Sequence, residues 1–69
     1  MEKLARILRE LEEHSGLPEI AYCRKLGIPR TTYRTWKYGG IPKNFMQFLE
    51  IIKFHKISFD NLIRRLSDD

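Results

Sequence analysis

The chain has 69 residues, of which 42% are hydrophobic and 32% charged, and one small globular domain over residues 1–69 is expected. This length leaves no room for a two-domain enzyme with a cleft between its domains. The longest apolar runs are three or four residues, which excludes a membrane span of about 20 residues and a secretory signal peptide. Because the single cysteine, Cys23, cannot form an intramolecular disulfide, a cytoplasmic location is expected.

Charge is unevenly distributed along the sequence. Residues 1–23 carry a net charge of −2, residues 24–56 carry +7, and residues 57–69 carry −1. No acidic residue lies between Glu19 and Glu50. A basic middle segment between acidic flanks predicts one positive face, and a polyanion is the partner that such a face favours. A solvated charged surface without any partner explains the charge equally well.

Apolar spacing and helix-ending residues predict an all-α protein, a compact bundle of five short helices. Gly16 and Gly27 are expected to end the first two helices, since glycine adopts the left-handed conformation at little cost. Pro18 suits the first position of the second helix. Asn44 and Ser58 are expected to cap the last two. The helices are predicted to cover about residues 2–14, 18–26, 29–37, 45–56 and 59–66.

The third helix is predicted from the geometry of its side chains. At 100° per residue, Tyr33 and Trp36 fall on one side, and Arg30, Arg34 and Lys37 fall together on the other. A strand would mix the two sets, so a helix is favoured despite the β-branched residues. The aromatic side is expected to be buried. The outer side is expected to carry Arg30, Thr31, Arg34, Thr35, Lys37 and Tyr38.

Nothing in the sequence indicates catalysis. His14 and His55 are the only histidines, and neither has a second metal ligand at a suitable spacing. Gly39 and Gly40 are followed by Ile-Pro and not by the Lys-Ser or Lys-Thr of a phosphate-binding loop. Cys23 lies on the inner side of a short helix and is expected to be a packing residue. No enzyme activity, metal, cofactor or small-molecule ligand is predicted.

Residues 18–37 predict two short helices that a tight turn joins. The turn reads Cys-Arg-Lys-Leu-Gly-Ile over residues 23–28, and the second helix ends in Trp-Lys before a Gly-Gly-Ile-Pro loop. Together with residues 57–62, these pieces resemble the helix-turn-helix domain of phage-repressor and Cro-like regulators, the xenobiotic-response-element family. The resemblance covers about residues 4–66 and implies a lambda-repressor-like fold. The expected core of the motif is Tyr22, Cys23, Leu26, Gly27, Ile28, Tyr33 and Trp36.

The resemblance implies that the third helix lies in the major groove of double-stranded DNA. Arg30, Thr31 and Arg34 match the positions that contact bases, and arginine pairs bidentately with guanine. Tyr38 is either a DNA contact or a cover for the loop. The positions that match contacts to the DNA backbone are Thr35, Lys37, Tyr38, Lys43 and Asn44, with Arg24 and Lys25 as outer candidates.

Two positions depart from the pattern of the family. Glu19 replaces a glutamine that lies near a phosphate, where a carboxylate would repel DNA by about 1 kcal/mol. Either the second helix stands further from the DNA, or the Glu19 side chain points away from it. Pro29 replaces the usual polar cap of the recognition helix.

The expected function is a sequence-specific repressor that binds a palindromic operator as a homodimer in the bacterial nucleoid. Autoregulation of a phage or mobile-element operon is expected, including the toxin–antitoxin and anti-CRISPR-associated types. The alternative is a protein-interaction module, an antitoxin or adaptor with the same fold; a membrane-surface binder is disfavoured. This interpretation requires the arginines to project toward DNA and not to fold back onto the protein's own acids. Candidate dimer residues are Phe54, Phe59, Ile63 and Leu66, and the alternative for each is that it only completes the core.

Overall fold

A computed structural model describes residues 2–67 as five α-helices, with no strand in that range. The all-α class and the number of helices are therefore confirmed for the described range, and residues 1, 68 and 69 of the predicted domain lie outside it. The helices are α1 (Glu2–Ser15), α2 (Glu19–Leu26), α3 (Arg30–Lys37), α4 (Phe45–His55) and α5 (Phe59–Ser67).

The predicted helix ends agree with the structure to within one or two residues, because local backbone chemistry sets them. Gly16 and Gly27 both have a φ of 73°, the left-handed conformation that favours glycine. The Asn44 side chain caps α4 by accepting a hydrogen bond from the Gln47 backbone N–H at 3.1 Å. Pro18 is the residue before the first helical position of α2, one place earlier than predicted.

The core forms where α2 and α3 pack against α1 and α4. Tyr22 of α2 and Tyr33 of α3 are fully buried, and their rings meet edge to face with centroids 5.6 Å apart. Trp36 packs edge to face against Phe48 of α4 at 6.1 Å. The burial of Tyr33 and Trp36 confirms the predicted inner side of α3. The main cluster consists of Leu4, Leu8, Tyr22, Cys23, Leu26, Ile28, Tyr33, Trp36 and Ile51.

Both buried tyrosines have partners for their hydroxyl groups, as burial of a polar group requires. Tyr33 donates a hydrogen bond to Oε1 of Glu12 on α1 at 2.7 Å. The Tyr22 hydroxyl lies 2.6 Å from Nε2 of His55, at the end of α4. These two bonds tie α3 to α1 and α2 to α4, so polar contacts add to the apolar packing between these helices.

No helix within residues 2–67 combines the length and the apolar character that crossing a membrane requires.

Candidate functional site

The outer side of α3 is the candidate site. With Tyr33 and Trp36 held in the core, the side chains of Arg30, Thr31 and Arg34 lie exposed on the opposite side. Thr35 is also exposed, and its hydroxyl donates to the backbone oxygen of Thr31 at 3.0 Å. An eight-residue helix is thus anchored along one side and presents donors along the other.

Glu19 binds both arginines of this side. Its Oε1 accepts a hydrogen bond from Nε of Arg30 at 2.6 Å and one from Nη1 of Arg34 at 3.0 Å. The side chains of Arg30 and Arg34 are 51% and 45% exposed, whereas that of Glu19 is 12% exposed. The expectation that the arginines project free of the protein's own acids is therefore wrong, which counts against the DNA-binding interpretation as stated above. About half of each arginine side chain nevertheless stays exposed on the outer side of α3. Sequence spacing did not reveal the pairing, because Glu19 lies on a different helix.

Only one edge of each guanidinium is used in this pairing. Arg30 donates through Nε, and its two terminal nitrogens make no hydrogen bond to the protein within residues 2–67. Arg34 donates through Nη1, and its guanidinium carbon lies 5.3 Å from the centroid of the Tyr38 ring. The remaining donors are available to a ligand that approaches the outer side of α3.

Lys37 has a different place from the predicted one. Its Nζ lies 3.0 Å from Oε2 of Glu19 and 2.9 Å from Oε1 of Glu12, and its side chain is only 14% exposed. The ammonium thus joins α3 to α1 and α2. The expectation that Lys37 lies on the exposed outer side of α3 is therefore wrong, because Lys37 is directed inward between two carboxylates and holds helices together.

The three cations determine the protonation of Glu19. The hydrogen bond from Arg30, followed by those from Lys37 and Arg34, lowers the pKa of Glu19 from 4.5 to about 2 despite partial burial. Glu19 is therefore ionised throughout the physiological pH range. The Glu19 carboxylate and the cations around it form a permanent ion cluster.

Tyr38 lies beside this cluster, at the end of α3. Its ring is exposed and lies 5.3 Å from the Arg34 guanidinium and 5.9 Å from the Lys37 ammonium. Both distances are within the range of cation–π attraction. The ring thus supports the two cations, which neither of the two interpretations of Tyr38 foresaw.

The other predicted backbone contacts lie on α2 and at the start of α4. Arg24 and Lys25 are exposed in the last turn of α2, and Lys43 is exposed before α4. Asn44 is exposed too, but its side-chain oxygen serves as the cap of α4. A cleft of about 290 Å³ separates the end of α3 from the start of α4. It is lined by Thr32, Thr35, Trp36, Ile41, Lys43 and Asn44.

The predicted core of the α2–α3 segment lies inside the protein, except for Gly27, which is exposed at the turn. Cys23 is buried, and burial raises the pKa of its thiol, as a packing residue requires. Within residues 2–67 no group of three or more His, Cys, Asp or Glu side chains is arranged to hold a metal ion.

The four candidate dimer residues differ in exposure. Phe54, Phe59 and Ile63 are exposed. Leu66 is partly buried and packs against the main cluster and against a second cluster that consists of Ile7, Ile52 and Leu62. For Leu66 the packing therefore agrees with the alternative that it completes the core.

Comparison with family models, with curated proteins and with solved structures finds no match to this chain.

Proposed function

We propose that the protein is a sequence-specific DNA-binding repressor that acts as a homodimer on a palindromic operator. The observation that carries the proposal is the construction of α3, which buries Tyr33 and Trp36 and exposes Arg30, Thr31 and Arg34 on its other side. A short helix with this division has the shape and the donors that a major groove accepts.

Charge supports the same proposal. Residues 24–56 carry a net charge of +7. None of the ion pairs within residues 2–67 involves Arg24, Lys25 or Lys43. Phosphate groups are the anions that such exposed, unpaired cations attract. Glu12 and Glu19 offset two of the three cations in the ion cluster, so the outer side of α3 keeps a positive balance.

In this proposal the side chains have distinct tasks. Arg30, Thr31 and Arg34 contact base edges, the arginines through the guanidinium nitrogens that Glu19 leaves available. Thr35, Arg24, Lys25, Lys43 and the amide nitrogen of Asn44 contact the DNA backbone. Lys37 is given no DNA contact, because its side chain is only 14% exposed and its ammonium lies between two carboxylates.

A monomer of this size offers few contacts, so two copies on a two-fold symmetric site are expected. The exposed side chains of Phe54, Phe59 and Ile63 are the apolar surface proposed for that dimer. Control of its own operon in a phage or another mobile element, on the bacterial nucleoid, is the biological role proposed for it.

Selection from a pool of random DNA duplexes tests the proposal. The wild type is expected to enrich a palindromic sequence, and Arg34→Ala is expected to relax base preference at one position in each half-site. Lys43→Ala is expected to weaken enriched and random duplexes alike and to make the salt dependence of binding shallower. Failure to enrich any sequence, or equal losses on both duplexes for Arg34→Ala, would contradict these roles.

An apolar surface favours a second candidate, a protein-interaction module of the antitoxin or adaptor type. A cleft of about 220 Å³ lies between α4, α5 and the loop before α4, and its lining is almost entirely apolar. The exposed side chains of Ile41, Phe45, Phe59 and Ile63 surround it. A chain that is monomeric by analytical ultracentrifugation and enriches no DNA sequence would favour this candidate over the repressor.

A further inference from the structure

The carboxylate of Glu19 links the two arginines to each other as well as to α2. Nε of Arg30 and Nη1 of Arg34 bind the same oxygen atom, at 2.6 and 3.0 Å. The two nitrogens therefore cannot lie further apart than the sum of these distances, 5.6 Å. Two long side chains that would otherwise sample many rotamers share one anchor point.

The carboxylate itself is fixed from the other side. Its second oxygen, Oε2, accepts from the Lys37 ammonium at 3.0 Å, and Lys37 is held in turn by Glu12 of α1 at 2.9 Å. The Glu19 side chain is 12% exposed, so it has little freedom to follow a ligand or to turn toward solvent. The chain of contacts runs from α1 through Lys37 to Glu19 and ends at the exposed arginines.

We propose that Glu19 is a positioning residue, which holds Arg30 and Arg34 at a fixed spacing so that they contact neighbouring bases of one DNA half-site. This inference rests on the proposed function. Successive bases along a strand are about 3.4 Å apart, which suits two guanidinium groups anchored within a few ångströms of one oxygen. Arginines that are ordered before binding lose less side-chain entropy when they bind DNA. The resulting gain in affinity is expected to be largest for the duplex whose bases match the fixed arrangement of the two arginines.

The same carboxylate that improves discrimination between sequences is expected to weaken non-specific binding to DNA. Glu19 brings a negative charge close to the phosphates, so it weakens attraction to any duplex while it improves discrimination between duplexes. A residue that only stabilised the fold would change both affinities in the same direction. A rise in affinity for random DNA together with a fall in discrimination therefore distinguishes a positioning role from a structural one.

The test compares the wild type with Glu19→Gln on two DNA probes, a duplex enriched by the wild type and a duplex of random sequence, at one salt concentration. In the variant one acceptor oxygen replaces two, so the side chain cannot accept from both arginines and from Lys37 at once, and a neutral oxygen holds the guanidinium groups more weakly than a carboxylate does. Affinity for the random duplex is expected to rise about 2- to 5-fold, as loss of a charge near phosphates predicts. Discrimination is expected to fall about 10-fold, the size of one well-placed arginine–guanine pair.

Two control variants separate charge from geometry. Glu13→Gln removes the same charge from an exposed position on α1 that contacts neither arginine, and it is expected to leave discrimination unchanged. Glu19→Asp keeps the charge but shortens the side chain by one methylene. Glu19→Asp is expected to bind the random duplex with the affinity of the wild type and to discriminate less well between the enriched and the random duplex. If Glu19→Gln fails to fold, Glu19→Asp is the variant that tests the positioning role.

A measurement on the free protein checks the contact directly. In a proton–nitrogen NMR spectrum, the Nε–H signal of Arg30 is expected to be protected from exchange in the wild type and to lose that protection in Glu19→Gln. An unprotected signal in the wild type would overturn the inference. So would unchanged discrimination by a folded Glu19→Gln or, if that variant does not fold, by Glu19→Asp. A wild type that enriches no sequence would instead overturn the proposed function and the positioning role together.

Discussion

Nε of Arg30 lies 2.6 Å from Oε1 of Glu19, and this bond joins the first residue of α3 to the first residue of α2. The two helices are therefore connected at their N-terminal ends as well as through their apolar sides. Exposed ion pairs contribute little to stability individually, about 0.2–1 kcal/mol. The importance of this pair lies in orientation, since it decides which nitrogens of Arg30 face outward.

Lys37 is expected to matter for stability more than an ordinary surface lysine. Lys37→Met would leave Glu12 and Glu19, both little exposed, without their shared ammonium, so a loss of about 1–3 kcal/mol in unfolding free energy is expected. Lys53→Met is the matched control, because Lys53 is 72% exposed and lies 3.6 Å from Glu50; it should change stability by less than about 0.5 kcal/mol. Urea denaturation measures both, and equal effects would contradict the structural role of Lys37.

Acid is expected to destabilise the fold through Glu19. Its pKa is about 2 when folded, against an ordinary 4.5, so the unfolded chain binds more protons between these pH values. The stabilisation is complete above pH 4.5 and is lost as the pH falls toward 2. Thermal melts of Glu19→Gln should therefore show a shallower dependence on pH in this range than those of the wild type. Parallel pH profiles would disprove the contribution of Glu19.

His55 is expected to add a second, separate pH dependence near neutrality. Burial, with a smaller contribution from the charge of His14, lowers the pKa of His55 below 6.5, so its neutral form is favoured in the folded state beside the Tyr22 hydroxyl. This contribution is present above pH 6.5 and is lost as the pH falls through the folded-state pKa. His55→Gln keeps a hydrogen-bonding group that does not titrate. Urea midpoints at pH 5 and pH 8 should differ less in this variant than in the wild type.

Trp36 is expected to be essential for the fold. Trp36→Ala would empty a buried site between α3 and α4 and should cost about 3–5 kcal/mol, a large part of the stability of so small a domain. Met46→Ala, at an exposed position of α4, is the control and should change little. A cooperative melt of Trp36→Ala at the wild-type temperature would contradict the packing described above.

The helices could be predicted from the sequence because their causes are local. The caps of α2 and α4 depend on residues within a few positions of the helix end, as with Gly27 and Asn44. The inner side of α3 follows from the angle between Tyr33 and Trp36 in any helix. The bond between Tyr22 and His55 could not be predicted in this way, because it joins residues 33 positions apart.

The sequence by itself determined the five helices, the buried aromatic side of α3 and the excess of positive charge in the middle of the chain. Only the tertiary structure decided which cations remain available. Arg30, Arg34 and Lys37 share one side of a helix, yet Lys37 is directed inward and the arginines are held by one edge. The physical reason is that helical periodicity fixes directions within one element, whereas the partner of a charged side chain depends on which residues of other helices the packing brings within about 4 Å.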